Sequence, residues 1–468
     1  MNNLETTTSR GNRQWQLMQR WLTTAVCLLA FSAGAAGTPA TLPFIINSDE
    51  ASGIYPSDRD IVFTVKPGEG KTPADLEAAL VKIVFNGVEE FKAEKSLAAD
   101  AITLRVKPGQ PGSYRCDVSQ PVAGTKSAVV SAGAVVTPAK IAPAIPEPAD
   151  FDAFWQTRKD ALKTKPLSFE LKPLSDDQRK HVTRLAEAGY ECFDLSIEVP
   201  IPGIRPVRGY FARPKNVPAG GCPALLYLRA AGVSGAWCVA NPWEAMNRAK
   251  EHGVMVLDIN AHGIPNDLTK EAYQQLEKGE LLDYKFQART NKNTFYFVGM
   301  YLRLLRSVDF LCAQKEWDGR HLIAMGGSQG GGQALAAAGL DDRVSAVSAV
   351  VPAMCDLSGI LVKRTSGWPN PVGFSAPKDQ PEVSAAVSYC DNVNLASRSK
   401  AETQIFVGLI DTTCPPQGVF AAYNNLRTVK SILAYPHMGH TSVPKEDLWI
   451  GDTPVMQNNF IKRHLEQH

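Results

Sequence analysis

The sequence lacks three patterns that would assign it to common classes of protein. Its nine cysteines are scattered and never stand in a C-x-x-C spacing, so a zinc site is not expected. Lysine plus arginine (49) nearly equal aspartate plus glutamate (47), and no basic stripe is present, so nucleic acid is not an expected partner. No internal repeat or low-complexity tract occurs, which excludes a solenoid or a biased, disordered chain.

The chain has one long apolar run, which lies close to the N-terminus, and it has no second one. Residues 21–31 are mostly apolar, three arginines precede them, and the small residues 33–36 follow. This order is typical of a signal peptide, and the run is too short for an ordinary membrane span. We therefore predict a signal peptide over residues 1–36, export to the periplasm or the exterior, and no stable membrane span after its removal. An uncleaved anchor and a misassigned start are the alternatives.

The cysteines that follow this segment stand mostly in apolar runs, which favours buried free thiols. One or two disulfides stay open in an oxidising compartment, and the sequence does not give their pairing. These residues are Cys116, Cys192, Cys222, Cys238, Cys312, Cys355, Cys390 and Cys414.

Residues 40–137 differ from the rest of the chain in their short, mostly alternating apolar segments, which Gly, Pro, Asn and Asp punctuate. Such spacing predicts a small all-β, sandwich-like domain. It could serve as a spacer, as a dock onto the following domain, or as a sugar-binding module, and no cluster of exposed aromatics is evident to favour the last. Residues 138–149 carry four prolines and are predicted to form a stiff, extended linker.

Residues 150–468 begin with a predicted helix and then alternate between strands and helices. The first two strands alternate in polarity, as an antiparallel start does, and the later ones are almost wholly apolar, as in a parallel sheet covered on both faces. The prediction is an α/β domain with a mostly parallel, doubly wound sheet. Its strands are predicted at residues 190–199, 207–213, 224–228, 254–258, 321–325, 344–351, 404–410 and 431–435.

The turn after the strand at 321–325 has the sequence M-G-G-S-Q-G-G-G, which contains G-x-S-x-G before a predicted helix. In such a turn the serine, here Ser328, takes a strained backbone conformation that exposes its hydroxyl above the sheet. A phosphate-binding loop is disfavoured because no Lys-Ser/Thr follows in the required spacing. A turn serine without a chemical role is the remaining alternative.

A serine nucleophile needs a base and an orienting acid, which in this fold follow it in the order acid, then histidine. Asp411 follows the strand at 404–410, and His440 follows the strand at 431–435, so both lie at carboxyl ends of strands. His437 is an alternative base and Asp356 an alternative acid. Asp411 could also act only as a helix N-cap.

Stabilising the oxyanion of an acyl transfer needs two preorganised N–H donors. The backbone N–H of Gln329, directly after Ser328, is one candidate. The other is expected in the loop at 229–234, and Ala231 is the predicted residue. A plain glycine turn is the alternative for this loop.

Four stretches of the sequence resemble the acetyl xylan esterase and cephalosporin-C deacetylase family of α/β-hydrolases. They are D-F-D-A-F-W at 150–155, Y-F-V-G-M-Y-L-R at 296–303, G-G-S-Q-G-G-G at 326–332, and G-L-I-D-T-T-C-P-P at 408–416 with Gly439-His440. The resemblance implies the α/β-hydrolase fold, a Ser328–His440–Asp411 triad, an acetylated carbohydrate substrate, and no metal or organic cofactor. Compact family members form ring-like oligomers, so a homo-oligomer is possible, although an added β-domain could alter it.

The sequence departs from the family at two loops. The family usually has His-Gly-Tyr in the oxyanion loop, and the tyrosine position falls on Ala231 here. Where an Arg-Gly-Gln often follows the next strand, this chain has Ala261-His262-Gly263, so His262 either lines the mouth of the site or caps a loop. Residues 363–388 resemble an insertion near the site, in which Trp368 either stacks on a sugar ring or packs within the loop.

These features together predict an exported serine carboxylesterase that removes acetyl groups from sugar hydroxyls. One alternative is a peptidase of the prolyl-oligopeptidase type, although residues 40–137 are too few for the propeller that such enzymes carry. Another is a catalytically dead carbohydrate-binding or scaffold protein, against which the intact Ser328, Asp411 and His440 argue.

Overall fold

The computed structural model describes residues 44–77, 79–98, 100–119 and 129–467. The predicted signal peptide lies outside these residues and stays a prediction. Within the described ranges, no helix combines the length and the apolar character needed to cross a membrane.

The N-terminal β-module (described residues between 44 and 136) consists of two sheets. One has the strand order β1-β3-β7-β6 and is antiparallel throughout, and the other has the order β2-β9-β8-β4-β5, in which only β2 and β9 run parallel. A short helix, α1 (Pro73–Glu77), joins β3 to β4. The strands are β1 (Phe44–Ser48), β2 (Ile54–Tyr55), β3 (Ile61–Pro67), β4 (Leu80–Phe85), β5 (Glu89–Phe91), β6 (Glu94–Leu97), β7 (Ile102–Val106), β8 (Gly112–Ser119) and β9 (Val129–Val136).

The two sheets of the β-module enclose a core of their own. Alternate residues of β3, such as Phe63, and of β8, such as Tyr114, are fully buried in one shared cluster. The period-two alternation of strands such as β3 thus contributes to the sandwich-like packing, because such a strand buries one face, whereas the end of β9 is buried on both.

The following residues form a nine-stranded sheet in the order β10-β11-β12-β14-β13-β15-β16-β17-β18. Strands β10 to β12 and the β12–β14 pair are antiparallel, and all other neighbours are parallel. The strands are β10 (Phe169–Pro173), β11 (Tyr190–Ile197), β12 (Val207–Pro214), β13 (Cys222–Leu228), β14 (Met255–Asn260), β15 (Trp317–Gly327), β16 (Ala346–Val350), β17 (Glu402–Gly408) and β18 (Lys430–Tyr435).

Helices cover both faces of this sheet, so its central strands are apolar on both sides. Within β13, Leu226 belongs to the larger core with α6 and α7, whereas Leu225 belongs to the core beneath α4 and α11. The larger helices are α2 (Phe151–Lys163), α3 (Asp176–Glu187), α4 (Pro242–His252), α5 (Lys270–Lys278), α6 (Tyr296–Cys312), α7 (Gln329–Leu340), α8 (Gln380–Val387), α10 (Pro416–Asn425) and α11 (Thr453–Glu466), with the single turn α9 (Asn392–Leu395). The predicted α/β-hydrolase sheet with an all-β region before it is confirmed.

The β-module packs directly against the loops that follow β17 and β18. The Gly133 N–H donates to the Pro436 carbonyl at 2.8 Å, and the His437 Nε2 lies 2.9 Å from the Ile46 carbonyl oxygen. A Cβ on Gly133 would lie 2.6 Å from the backbone of Leu409, so only glycine permits this approach.

A second contact joins the β-module to the start of α10. The Gln417 side chain accepts a hydrogen bond from the Ser113 hydroxyl at 2.7 Å and donates one to the Asn86 carbonyl at 3.1 Å. The Thr365 N–H donates to the same carbonyl at 2.9 Å. Because Ser113, Asn86 and Gln417 are buried, these bonds form away from competing water.

All eight cysteines of the described residues are free thiols, and seven of them are buried. Burial raises the pKa of these thiols, for example to about 11 at Cys222 and about 12 at Cys238. The prediction of core thiols is confirmed for this part of the chain.

Candidate active site

Ser328 stands at the junction of β15 and α7, in the turn that the sequence predicts. Its backbone has φ 56° and ψ −122°, a conformation that is strained for a residue with a side chain. The turn is held because the Ser328 N–H donates to the Val350 carbonyl at 2.9 Å and its carbonyl accepts from Gly332 and Ala353 at 3.0 Å. The start of α7 also directs the positive end of the helix dipole at this position.

The glycines around Ser328 have the steric role that the sequence predicts. A Cβ on Gly330 would lie 2.1 Å from the Leu228 carbonyl oxygen, and one on Gly326 would lie 2.5 Å from the same atom. A Cβ on Gly332 would lie 2.4 Å from the Ala353 carbonyl oxygen. The first turn of α7 therefore touches the backbone of two neighbouring chain segments.

Ser328, His440 and Asp411 form a continuous hydrogen-bonded chain. The Ser328 Oγ lies 2.8 Å from the His440 Nε2, and the His440 Nδ1 lies 2.7 Å from the Asp411 Oδ2. A carboxylate only accepts, so the neutral imidazole carries its proton on Nδ1 and leaves Nε2 to accept from the serine. The Asp411 side chain is fully buried and the His440 side chain is 12% exposed.

The second carboxylate oxygen of Asp411 fixes the loop in which it stands. Its Oδ1 accepts from the N–H groups of Thr413 and Cys414 at 2.8 and 2.9 Å. Asp411 therefore does have a capping role in its own turn, but that role uses one oxygen and leaves the other for His440. Helix α10 begins later, at Pro416.

The alternative base and acid have other partners. His437 is bonded through Nδ1 to Asp447 at 2.7 Å and through Nε2 to the Ile46 carbonyl. Asp356 forms an ion pair with Arg364 at 2.8 Å. Of the four groups considered from the sequence, only Asp411 and His440 come together with Ser328.

Cys414 adds a thiol to this group of side chains. Among the described residues, Asp411, Cys414 and His440 form the one cluster of three whose possible metal-ligand atoms lie within 4.8 Å of one another. Both ring nitrogens of His440 already have hydrogen-bond partners, and burial raises the pKa of the Cys414 thiol well above its ordinary value. A zinc ion could use these donor atoms only by displacing the hydrogen bonds that His440 makes to Ser328 and Asp411.

The loop at residues 229–234 leaves β13 beside the start of α7. Strand β13 pairs in parallel with β15, and Leu228 stands opposite Gly326. The Gln333 side chain donates to the Arg229 carbonyl at 3.4 Å, and a buried Arg229–Asp258 pair anchors the loop where it begins. The predicted donors Ala231 and Gln329 thus belong to two segments that pack together at one edge of the sheet.

His262 lies behind this loop and is only 1% exposed. Its Nε2 lies 2.9 Å from the Gly232 carbonyl oxygen, and its Nδ1 lies 2.7 Å from the Tyr296 hydroxyl. Both ring nitrogens are therefore occupied. Of the two interpretations that the sequence allows for His262, capping a loop fits this placement, and lining the mouth of the site does not.

Trp368 lies between the loop after β16 and the loop that contains Asp411. Its backbone N–H donates to the Thr413 carbonyl at 3.2 Å, and its backbone carbonyl accepts from the Met354 N–H at 2.8 Å. The indole packs edge-on against Phe297, with 6.2 Å between ring centroids, and is half-buried. These contacts give Trp368 a packing role that joins the loop to three segments outside it, and stacking on a sugar stays a prediction.

Two side chains of this region carry no signal in the sequence. The Tyr284 hydroxyl donates to the Gln329 side-chain oxygen at 2.7 Å, and the Trp237 indole N–H donates to the Ala231 carbonyl at 2.8 Å. Tyr284 comes 45 residues before its partner, in a turn without a motif, so only the folded chain brings the pair together.

Comparison with known proteins places the main domain in a family. The sequence model of the family described as acetyl xylan esterase (AXE1) matches residues 139–447. The acetyl esterase Axe7A of Xylanibacter ruminicola is 29% identical over 324 residues, which are 67% of this chain and 69% of that protein. The matched segment thus contains the whole main sheet and His440, and the β-module precedes it.

Two solved structures share the fold. The acetyl xylan esterase from Paenibacillus sp. R4 aligns with a TM-score of 0.55 and 28% identity, covering 70% of this chain and 98% of that one. Acetyl xylan esterase 1 from Thermoanaerobacterium sp. JW/SL YS485 aligns with a TM-score of 0.52 and 24% identity, covering 70% and 97%. The resemblance seen in the sequence is confirmed: this chain belongs to the acetyl xylan esterase family and is a carboxylic-ester hydrolase of the α/β-hydrolase fold.

Proposed function

We propose that this protein removes acetyl groups from the hydroxyls of poly- or oligosaccharides, with Ser328 as nucleophile, His440 as general base and acid, and Asp411 as the orienting acid. The observation that supports the proposal most is the unbroken chain of hydrogen bonds from the Ser328 Oγ through His440 to Asp411. Its order and spacing are those of a serine-hydrolase triad.

Acylation begins when the Ser328 Oγ attacks the acetyl carbonyl carbon and its proton passes to the His440 Nε2. The carbonyl oxygen becomes an oxyanion, which the N–H groups of Gln329 and Ala231 stabilise. As the bond between the acyl carbon and the sugar oxygen breaks, His440 returns the proton to that oxygen. Asp411 holds the Nδ1–H throughout and stabilises the imidazolium.

Deacylation repeats these steps with water. His440 takes a proton from the water, whose oxygen attacks the acetyl carbon, and then gives the proton back to the Ser328 Oγ as acetate leaves. Residues of the chain itself carry out every proton transfer in acylation and deacylation.

Acetate release tests the proposal. The full chain should release acetate from acetylated xylan and from oligosaccharides of defined acetyl position, and Ser328→Ala should lower kcat by about 10⁴-fold or more. Proline-containing peptides serve as the peptidase control, and labelling by a fluorophosphonate tests for a dead scaffold. Labelling of Ser328 without acetate release from any acetylated sugar would refute the deacetylase.

We also propose that residues 40–137 and 150–468 are separate domains joined by a linker at 138–149, and that the first domain docks onto the second. The buried bonds of Gln417 to Ser113 and Asn86 support docking over a free spacer. Limited proteolysis at the linker should then leave the two fragments associated on a sizing column, whereas independent elution would contradict docking.

Export is proposed on the sequence of residues 1–36 alone. Expression of the full chain in a bacterial host, followed by N-terminal sequencing of the periplasmic product, should find a new terminus near residue 37. An uncut chain that stays with the membrane fraction would support the anchor instead.

A further inference from the structure

The two predicted oxyanion donors come from separate parts of the chain, and one aromatic cluster touches both parts. Ala231 lies in the loop after β13, and Gln329 begins α7. His262 follows β14, and Tyr284 lies in the turn before α6. The rings of His262 and Tyr284 pack edge to face, with centroids 4.5 Å apart and an interplanar angle of 74°.

His262 holds the loop through one carbonyl group. The Gly232 carbonyl can only accept, so the His262 Nε2 carries the proton that bridges the 2.9 Å between them. The Nδ1 then accepts from the Tyr296 hydroxyl at 2.7 Å. Burial lowers the pKa of His262 to about 3, so the ring stays neutral and keeps this arrangement over the ordinary working range of pH.

The neighbouring carbonyl of the same loop is also held. The Trp237 indole N–H donates to the Ala231 carbonyl at 2.8 Å. Gly232 has φ 126°, a conformation that residues with a side chain rarely adopt, and its carbonyl is the one that accepts from His262. Two successive carbonyl groups on the C-terminal side of the Ala231 N–H are thus fixed, which limits how far the backbone of this loop can move.

Tyr284 holds the other donor residue. Its hydroxyl donates to the Gln329 Oε1 at 2.7 Å, and both residues are buried. Within the described part of the chain, the Gln329 Nε2 is buried without a hydrogen-bond partner. The Tyr284 bond is therefore the hydrogen bond that orients the Gln329 side chain at the first position of α7.

We propose that His262 and Tyr284 are positioning residues of the oxyanion hole, which couple the donor at Ala231 to the donor at Gln329. The proposal rests on the acyl-transfer mechanism proposed above. Donors stabilise the oxyanion only when they lie about 3 Å from it, and a displacement of about 1 Å can cost roughly 100-fold in rate. Because loops are mobile unless packing holds them, the contacts of His262 and Tyr284 supply the required rigidity.

The test compares His262→Ala, His262→Gln and Tyr284→Phe with the matched control Tyr273→Phe. Tyr273 is as buried as Tyr284, but its hydroxyl donates to the Pro265 carbonyl. The readouts are kcat and KM for a soluble acetyl ester, and the Ki of a boronic acid that forms a tetrahedral adduct with Ser328. Melting temperature reports folding.

We expect His262→Ala to lower kcat roughly 30- to 100-fold and Tyr284→Phe roughly fivefold, each with KM within a factor of two. The affinity for the boronic acid should fall by the same factor as kcat/KM, because both depend on the oxyanion donors. His262→Gln should recover part of the loss, since its amide can donate to Gly232. If His262→Ala fails to fold, Tyr284→Phe, which removes one hydroxyl, decides the question.

Three results would overturn the proposal. The first is an unchanged kcat in folded Tyr284→Phe and His262→Ala. The second is an equal loss of kcat in Tyr273→Phe. The third is a raised KM with constant kcat, which would make these residues substrate contacts. A wild-type chain that releases no acetate would instead refute the proposed function. His262 and Tyr284 would then have no acyl transfer to support.

Discussion

The two halves of the triad region are held by different parts of the molecule. The turn of Ser328 and the loop at 229–234 are fixed by residues of the α/β domain itself, such as His262 and Arg229. The loops of Asp411 and His440 also touch the β-module. The side of the proposed nucleophile is therefore held by local backbone packing, and the side of the proposed acid and base also contacts the β-module, which is distant in the sequence.

The two sides also differ in the charge of a buried or half-buried histidine. His262, on the nucleophile side, has one acceptor and one hydroxyl as partners, and it is neutral. His437, on the acid–base side, contacts two groups that can only accept, the Asp447 carboxylate and the Ile46 carbonyl, so both of its ring nitrogens must donate. These two bonds favour the imidazolium form of His437, three residues before the proposed base.

Apart from Ser328→Ala, which removes the proposed nucleophile itself, the largest effect is expected from Gly330→Ala. The added Cβ would lie 2.1 Å from the Leu228 carbonyl oxygen, which is backbone and cannot turn away. We expect the loss of at least about 1,000-fold in kcat/KM, or about 4 kcal/mol, because the elbow and the oxyanion donors both shift. Gly109→Ala is the matched control, since nothing lies within 4 Å of its Cβ position.

His262→Gln should change how stability depends on pH in acid. The pKa of His262 is lowered to about 3 in the folded chain, so between pH 6.5 and 3 the unfolded state binds one more proton. The stabilisation is complete above pH 6.5. Below it, each unit of falling pH should lower the free energy of unfolding of the wild type by about 1.4 kcal/mol. Urea unfolding across this range should show the curves of wild type and variant converging towards acid; parallel curves would contradict the assignment.

His437→Asn should show the opposite dependence. Burial lowers the pKa of His437, but the hydrogen bond to Asp447 and its charge, with a further contribution from Glu446, outweigh burial, and the net pKa is raised above 6.5. Its contribution is complete below pH 6.5 and disappears as the pH rises through the folded pKa. The variant should lose about 2 kcal/mol of unfolding free energy at pH 6 and much less at pH 9.

The smallest of these effects is expected from Gly133→Ala in the β-module. A Cβ there would press on the Leu409 backbone, two residues before Asp411. We expect kcat to fall roughly tenfold, about 1.4 kcal/mol, through displacement of the acid. Reactivity towards a fluorophosphonate should fall with it, and Gly109→Ala, in the same module, should match wild type. An unaffected kcat in folded Gly133→Ala would separate the β-module from catalysis.

The difference between the two halves also explains what the sequence could predict. The elbow is local: an apolar strand, a glycine-rich turn and a small-residue helix stand within twenty residues, so pattern and sterics suffice to place Ser328. Asp411 and His440 could be located because the carboxyl ends of parallel strands share one edge of the sheet. Each of these inferences needs only strand ends and chain order.

The remaining features depend on contacts between distant segments. Helix α3 buries only Val182 and Leu185 and is mostly polar, so its pattern gives a weak signal. Strand β2 has two residues and exists only by pairing with β9. The partners of His262 and Tyr284 follow from the order of β13 and β14 in the sheet and from a turn without a motif, neither of which periodicity encodes.

The central claim is that Ser328 carries the acetyl group during the reaction. Incubation of the full chain with acetylated xylo-oligosaccharides, acid quenching and peptide mass analysis should find one acetyl group on the peptide that contains Ser328, and none in Ser328→Ala. Acetate release by the wild type with no acetyl group on that peptide at any quench time, together with release by Ser328→Ala at the same rate, would contradict the account.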